Sequence, residues 1–228
     1  MTAAPAYSTP DRPHAGPAPR RGFNGLVARF FDIAAKGYDL APLQYVMYRP
    51  PQDEMIALLR ARGARTIVDF GCGTGILADR ISFELPVARV HGVDMSAGML
   101  AKARRRNVAV EWRNEPAERT GLPSASVDAV ITTTAFHFFD QERAVAEFAR
   151  ILQPEGILAI SAISTSSPWA RPIQRISGNS LAPAHAPSPR EIGQLVESLG
   201  FDLLEQRPIR RPWYSRMVPD VLTIAQRR

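Results

Sequence analysis

The sequence predicts an α/β protein, built on an open, doubly wound and mostly parallel sheet with helices on both faces. Three observations predict it. From Arg65 onward, short apolar strands alternate with helical patterns. A glycine-rich turn, Val68 to Gly75, ends the first strand and opens a helix. An acid, Asp94, closes the second strand 19 residues after Gly75.

Each element has its own signal. Thr66 to Phe70 is a short apolar strand, and Ile76 to Phe83 is helical. Val90 to Val93 is a strand, and Ala97 to Arg105 a helix. Val108 to Trp112 and Ala129 to Thr132 are further strands. Gln141 to Leu152 is a helix with Ala144, Val145, Phe148 and Leu152 on one face. Ile157 to Ile163 is a strand. Arg190 to Leu199 is a helix stopped by Gly200. Phe201 to Gln206 and Asp220 to Ala225 are the last strand candidates. Crossovers between parallel strands are right-handed, and ligands bind beyond the carboxyl ends of such strands.

Upstream, residues 1 to 22 hold five prolines and no apolar periodicity, so a disordered tail is expected. Residues 23 to 228 are expected to form one domain. Within it, 23 to 63 are cap helices. Phe23 to Lys36 has helical spacing, and Gln52 to Arg62 follows Pro50 and Pro51, with Asp53 and Glu54 as early acids. Residues 164 to 189 form a lid-like insertion containing Pro168, Pro172, Pro183, Pro187 and Pro189.

Composition excludes several classes. Of 228 residues, 45% are hydrophobic and 22% charged, as in a soluble globular protein. No apolar run reaches the length of a membrane-spanning helix. The single cysteine, Cys72, excludes an internal disulfide framework and fits a reducing cytoplasm. No metal site is expected. The net charge of +6 lies in the two ends. The first 22 residues carry +2, those from Arg207 carry +5, and the middle carries −1. Nothing in that distribution points to a nucleic-acid substrate.

The chemistry concentrates in VDFGCGTG. Gly71, Gly73 and Gly75 let the backbone turn tightly and approach a ligand. The helix that follows offers free N–H groups to an anion. The spacing G-x-G-x-G differs from the dinucleotide pattern, and Asp69 would repel a pyrophosphate. An acid there can receive an ammonium group instead. A carboxylate and an ammonium on one carbon are the amino-acid end of S-adenosylmethionine, the expected cofactor. Cys72 lies inside the loop as a small packing residue. Asp94, in GVDMS, can accept both ribose hydroxyls, or cap the next helix in competition with Ser96. Met95 can flank an adenine.

With these motifs, DAVITTTAFHFF and LQPEGILAI complete an ordered set. The sequence resembles class I S-adenosylmethionine-dependent methyltransferases of the small-molecule, type 11-like kind, over about Arg65 to Ile163. The stretch from PAERTGLP to AEFARIL is similar to the group that includes trans-aconitate methyltransferase. FFDIAAKGYDLAP is similar to quinone and phospholipid methyltransferases. The resemblance implies that Asp69 and the glycine loop hold the methionine portion and that Asp94 and Met95 hold the adenosine. Many members carry Gly-Asp-Ala after the third strand. Here Pro116 stands at the acid's place, so Ala117 or Glu118 takes the adenine contact, unless Glu118 is an exposed loop charge. Thr133 and Thr134 follow the fourth strand, where the family's loop touches the methionine portion. In Gln153-Pro154-Glu155-Gly156 the expected positive φ falls on Gly156.

His137 is the candidate general base, or else it lines the pocket. Tyr38, Tyr45, Tyr48 and Trp169 are candidate acceptor contacts. Together they suggest a small, apolar or planar acceptor methylated by direct in-line transfer. An RNA methyltransferase and a non-catalytic cofactor-binding subunit are the alternatives. Monomer and homodimer are both compatible with the sequence.

Overall fold

A computed structural model describes residues 44–164 and 187–228. The expected tail (1–22), the helix Phe23 to Lys36, and Tyr38 and Trp169 lie outside the described residues, as does most of the expected lid. One π-helical turn, Gln44–Tyr48, leads into helix α1, Arg49–Arg62. Then come β1 (Thr66–Phe70), α2 (Ile76–Glu84), β2 (Arg89–Asp94), α3 (Ala97–Arg106) and β3 (Glu111–Asn114). The second half runs β4 (Val127–Thr133), α4 (Gln141–Ile151), β5 (Leu152–Ile163), α5 (Pro189–Ser198), β6 (Phe201–Pro208) and β7 (Asp220–Arg227).

The seven strands lie in the order β3-β2-β1-β4-β5-β7-β6. Pairs from β3 through β5 are parallel, and β7 is antiparallel to both β5 and β6. The order reverses between β1 and β4, so a crevice opens above their carboxyl ends. Asp128 sets the β1–β4 register at the opposite end. Its Oδ2 accepts the N–H groups of Arg65 and Thr66, each at 2.8 Å.

Strand alternation divides the core in two. Val68, Phe70, Val130 and Leu158 face α4 and α5 through Val145, Phe148 and Val196. Ile67, Ala129, Ile131 and Ala159 face α1 and α2 through Met55, Leu59 and Ile81. Each helix thereby buries one stripe on the sheet, the layered arrangement expected from the sequence.

Three local expectations are corrected. The third strand begins at Glu111, not Val108, which is 95% exposed. Asn107 diverts the chain there: its side chain accepts from Ala109 N–H and donates to Asp79 and Ser82 on α2. In α1, Asp53 and Glu54 are not first-turn acids, because the helix already starts at Arg49. They pair with arginines instead, Asp53 with Arg49 and Arg80, Glu54 with Arg207. In the Gln153–Gly156 turn, Glu155 takes the positive φ of 64°. Gly156 is needed for space, since a Cβ there would sit 2.8 Å from the Gln153 carbonyl oxygen.

Candidate functional site: a glycine loop over the β1–β4 crevice

β1 carries Asp69 to the crevice, and the loop Gly71–Gly75 leaves from it. Gly71, Gly73 and Gly75 all take positive φ, at 67°, 55° and 79°. Two of them are also pinned from behind. A Cβ on Gly71 would meet Ala135 at 2.3 Å and the Phe139 ring at 3.3 Å. A Cβ on Gly75 would meet the Trp112 ring at 2.4 Å and Ala103 at 2.9 Å. The loop is therefore clasped between the segment after β4 and a tryptophan on β3. Trp112 is itself fixed by its indole N–H, which donates to the Asn107 carbonyl at 2.8 Å. Neither contact has a local signal in the sequence.

Asp94 closes the loop from the end of β2. Its Oδ2 accepts the Gly73 N–H at 2.8 Å, and its Oδ1 accepts the Ser96 N–H at 2.8 Å. The helix cap itself is Ser96, whose hydroxyl accepts from Met99 N–H. Asp94 is half-buried and Met95 half-buried beside it. The Gly71 and Cys72 N–H groups both donate to the Val93 carbonyl, which locks the loop to β2. Cys72 packs against Leu100 and Ala103. Burial and the nearby Asp94 and Asp69 carboxylates push its thiol well up, so it stays protonated and inert.

Asp69 is the unusual group. It is 1% exposed, and its Oδ1 has no hydrogen-bond partner among the described residues. Burial, with Asp94 adding repulsion, raises its carboxyl well above the usual range. A buried oxygen without a donor is costly, and a ligand ammonium would satisfy it. The residues therefore fit the amino-acid end of S-adenosylmethionine on both counts, an acceptor for the ammonium and a positive-φ cradle for close backbone approach.

The remaining candidates surround this loop. Ala117 is buried in the apolar core. Glu118 is not an exposed loop charge. Its Oε1 accepts the Asp140 N–H at 2.7 Å, and its Oε2 is buried with no partner among the described residues. Thr133 ends β4 opposite Ser161 of β5. Thr134 adopts φ 58°, its N–H donating to the Ser161 carbonyl. The Ser161 hydroxyl, 1% exposed and unpartnered among the described residues, was not singled out from the sequence. His137 sits in a 3₁₀ turn, Phe136–Phe138, with its ring 4.0 Å from that of Phe138. Desolvation pulls its pKa down to about 4. Tyr45 stacks on Tyr214 at 5.7 Å and borders an open groove of about 660 Å³, lined also by Arg49, Pro50, Glu54 and Arg210. That lining includes none of Asp69, Asp94, Thr133 or His137. Tyr48 closes the π-helical turn beside it.

The fold and this loop together define a class: a Rossmann-like domain whose cradle fits a nucleoside-linked amino acid. Comparison with known proteins agrees. Residues 68–160 match the family described as a methyltransferase domain. The malonyl-[acyl-carrier protein] O-methyltransferase of Hahella chejuensis is 35% identical over 144 residues, 62% of this chain and 50% of that protein. The trans-aconitate 2-methyltransferase of Azoarcus sp. is 36% identical over 108 residues, 47% of this chain and 42% of that protein. The magnesium protoporphyrin IX methyltransferase of Synechocystis, solved with bound S-adenosylhomocysteine, superposes with a TM-score of 0.70 at 17% identity. That superposition covers 90% of this chain and all of the other. The chain spans about half the length of the curated relatives it matches. Residues 68–160 match a methyltransferase domain on a class I methyltransferase fold, and the match implies S-adenosylmethionine as its cofactor.

Proposed function

We propose that the protein moves a methyl group from S-adenosylmethionine to a small acceptor by direct in-line transfer. The observation that carries this reading is the buried Asp69 oxygen at the foot of the glycine loop, without a partner among the described residues. Asp69 would hold the ammonium, and the loop N–H groups the carboxylate. Asp94 and Met95 would hold the ribose and adenine, with Ala117, Glu118, Thr133 and Thr134 along the walls. When bound, the cofactor supplies a sulfonium methyl that is already electrophilic. The protein then needs to align the acceptor and exclude water.

The acceptor oxygen is proposed to be anionic before it binds, as in a carboxylate on an apolar or planar body. Two observations favour this. His137, with a pKa near 4, is too weak a base to ionise an alcohol at neutral pH. The relatives named above include an O-methyltransferase acting on malonyl-[acyl-carrier protein] and a trans-aconitate methyltransferase. Tyr45 and Tyr48, with Tyr38 and Trp169, remain the proposed contacts to the acceptor's body. Incubation with methyl-labelled cofactor and a panel of organic acids tests the reading. An alkali-labile labelled product supports a methyl ester. An alkali-stable product would assign transfer to another atom.

A further inference from the structure

The glycine loop does not hold its shape alone, and its support leads to Glu118. Ala135 and Phe139 pack directly behind Gly71, where even a Cβ would collide. Asp140 follows Phe139 in the chain and begins α4, with its own side chain making no cap bond there. The backbone N–H of Asp140 is taken by Glu118 Oε1 at 2.7 Å. Glu118 stands on the turn after β3. Its carboxylate is mostly buried, and burial raises its pKa. One short bond thus ties the turn after β3 to the segment after β4, and that segment to the loop.

We infer that Glu118 is a positioning residue for the cofactor loop, acting through the Asp140 N–H and the Phe139–Gly71 contact. The inference rests on the S-adenosylmethionine reading of the loop. What matters is an oxygen acceptor at this point, not a charge. Glutamine keeps that acceptor and alanine removes it. Losing the bond lets Phe139 move and loosens the cradle before any ligand arrives.

The donor can also be removed from the other side. Asp140 has φ −71° and Phe139 is extended, with ψ 157°. Both values suit proline at 140, so Asp140→Pro deletes the N–H without straining the backbone.

Titration calorimetry with S-adenosylhomocysteine, alongside ligand-free melting, tests the inference. Wild-type protein should bind. Glu118→Ala should weaken binding about ten-fold, the usual cost of leaving a buried donor unpaired. Glu118→Gln should stay within about three-fold of wild type, since its amide oxygen still accepts. Asp140→Pro should match Glu118→Ala, and the double variant should lose no more than either alone. Equal affinity for wild type and Glu118→Ala would overturn the inference, as would additive losses in the double variant. A Glu118→Gln loss as large as that of alanine would also overturn it. If wild type itself does not bind, the cofactor reading has failed instead. If Glu118→Ala does not fold, the comparison of Asp140→Pro with Glu118→Gln decides.

Discussion

The cofactor loop and the arginine clamp that joins the C-terminal segment to α1 and the π-helical turn are built in opposite ways. The polar closure of the loop is short in range: Gly73 and Asp94 bond across 21 residues, and backbone N–H groups meet one carboxylate. The clamp is long-range. Arg207 makes two 2.9 Å bonds to Glu54 across 153 residues. Arg211 pairs with Asp220 and donates to the Val46 and Met47 carbonyls of the π-helical turn. The first arrangement leaves a buried oxygen open for a ligand, whereas the second uses up its charges internally. The clamp also explains the basic C-terminal segment. Arg207, Arg211 and Arg228 pair with Glu54, Asp220 and Asp202, so half of its six arginines hold the fold together.

If the contrast is right, variants in the two regions separate binding from stability. The largest effect belongs to Gly71→Val. Its Cβ would meet Ala135 at 2.3 Å with φ at 67°, so the loop must rebuild. Affinity for S-adenosylhomocysteine should fall by about two orders of magnitude or more, as the overpacking and backbone strain it introduces imply. Calorimetry reads this directly. Asp94→Ala comes next. It frees the Gly73 and Ser96 N–H groups together, and affinity should fall about thirty-fold for two lost charge-assisted bonds.

Asp69 sharpens the comparison through pH. Its carboxyl is raised in the free protein, and a bound ammonium favours the ionised form. Binding therefore releases a proton below the free-protein pKa. Affinity should rise with pH through that range and then level, and Asp69→Asn should remove the slope. Titrations in buffers of different ionisation enthalpy count the proton.

On the clamp side, Glu54→Ala should leave cofactor affinity unchanged. It should cost about 2 kcal/mol of stability, seen as a lowered melting temperature, because Arg207 loses a partly buried partner. Equal damage to affinity would break the contrast. The smallest effect is expected of His137. With a pKa near 4 it is neutral through pH 5 to 8, so it should impose no limb on the pH–rate profile there. His137→Gln should change kcat by less than about ten-fold, below the usual span for a general acid–base group.

The same contrast accounts for what the sequence discloses. Strand and helix order follow from periodicity, and the loop from glycine spacing, because both are local codes. The position of Asp69 at the end of β1, two residues before Gly71, follows from the same local pattern. Trp112 behind Gly75, Phe139 behind Gly71 and the Ser161 hydroxyl were not legible, because only the folded sheet brings them there. The start of β3 was misplaced because Val108 has strand propensity, while the Asn107 side chain actually sets the turn. Glu118 needed the structure as well. Its partner is a backbone N–H 22 residues away, which no residue pattern encodes.

The central claim is that the loop from Asp69 to Asp94 binds S-adenosylmethionine through the buried Asp69 Oδ1, which has no partner among the described residues. One calorimetric titration of the full chain with S-adenosylhomocysteine tests it most directly. Saturable one-site binding in the micromolar range, weakened in Asp69→Asn and unchanged in Glu54→Ala, is the predicted result. No heat from the wild-type protein, with no upward shift of its melting temperature at saturating ligand, would contradict it.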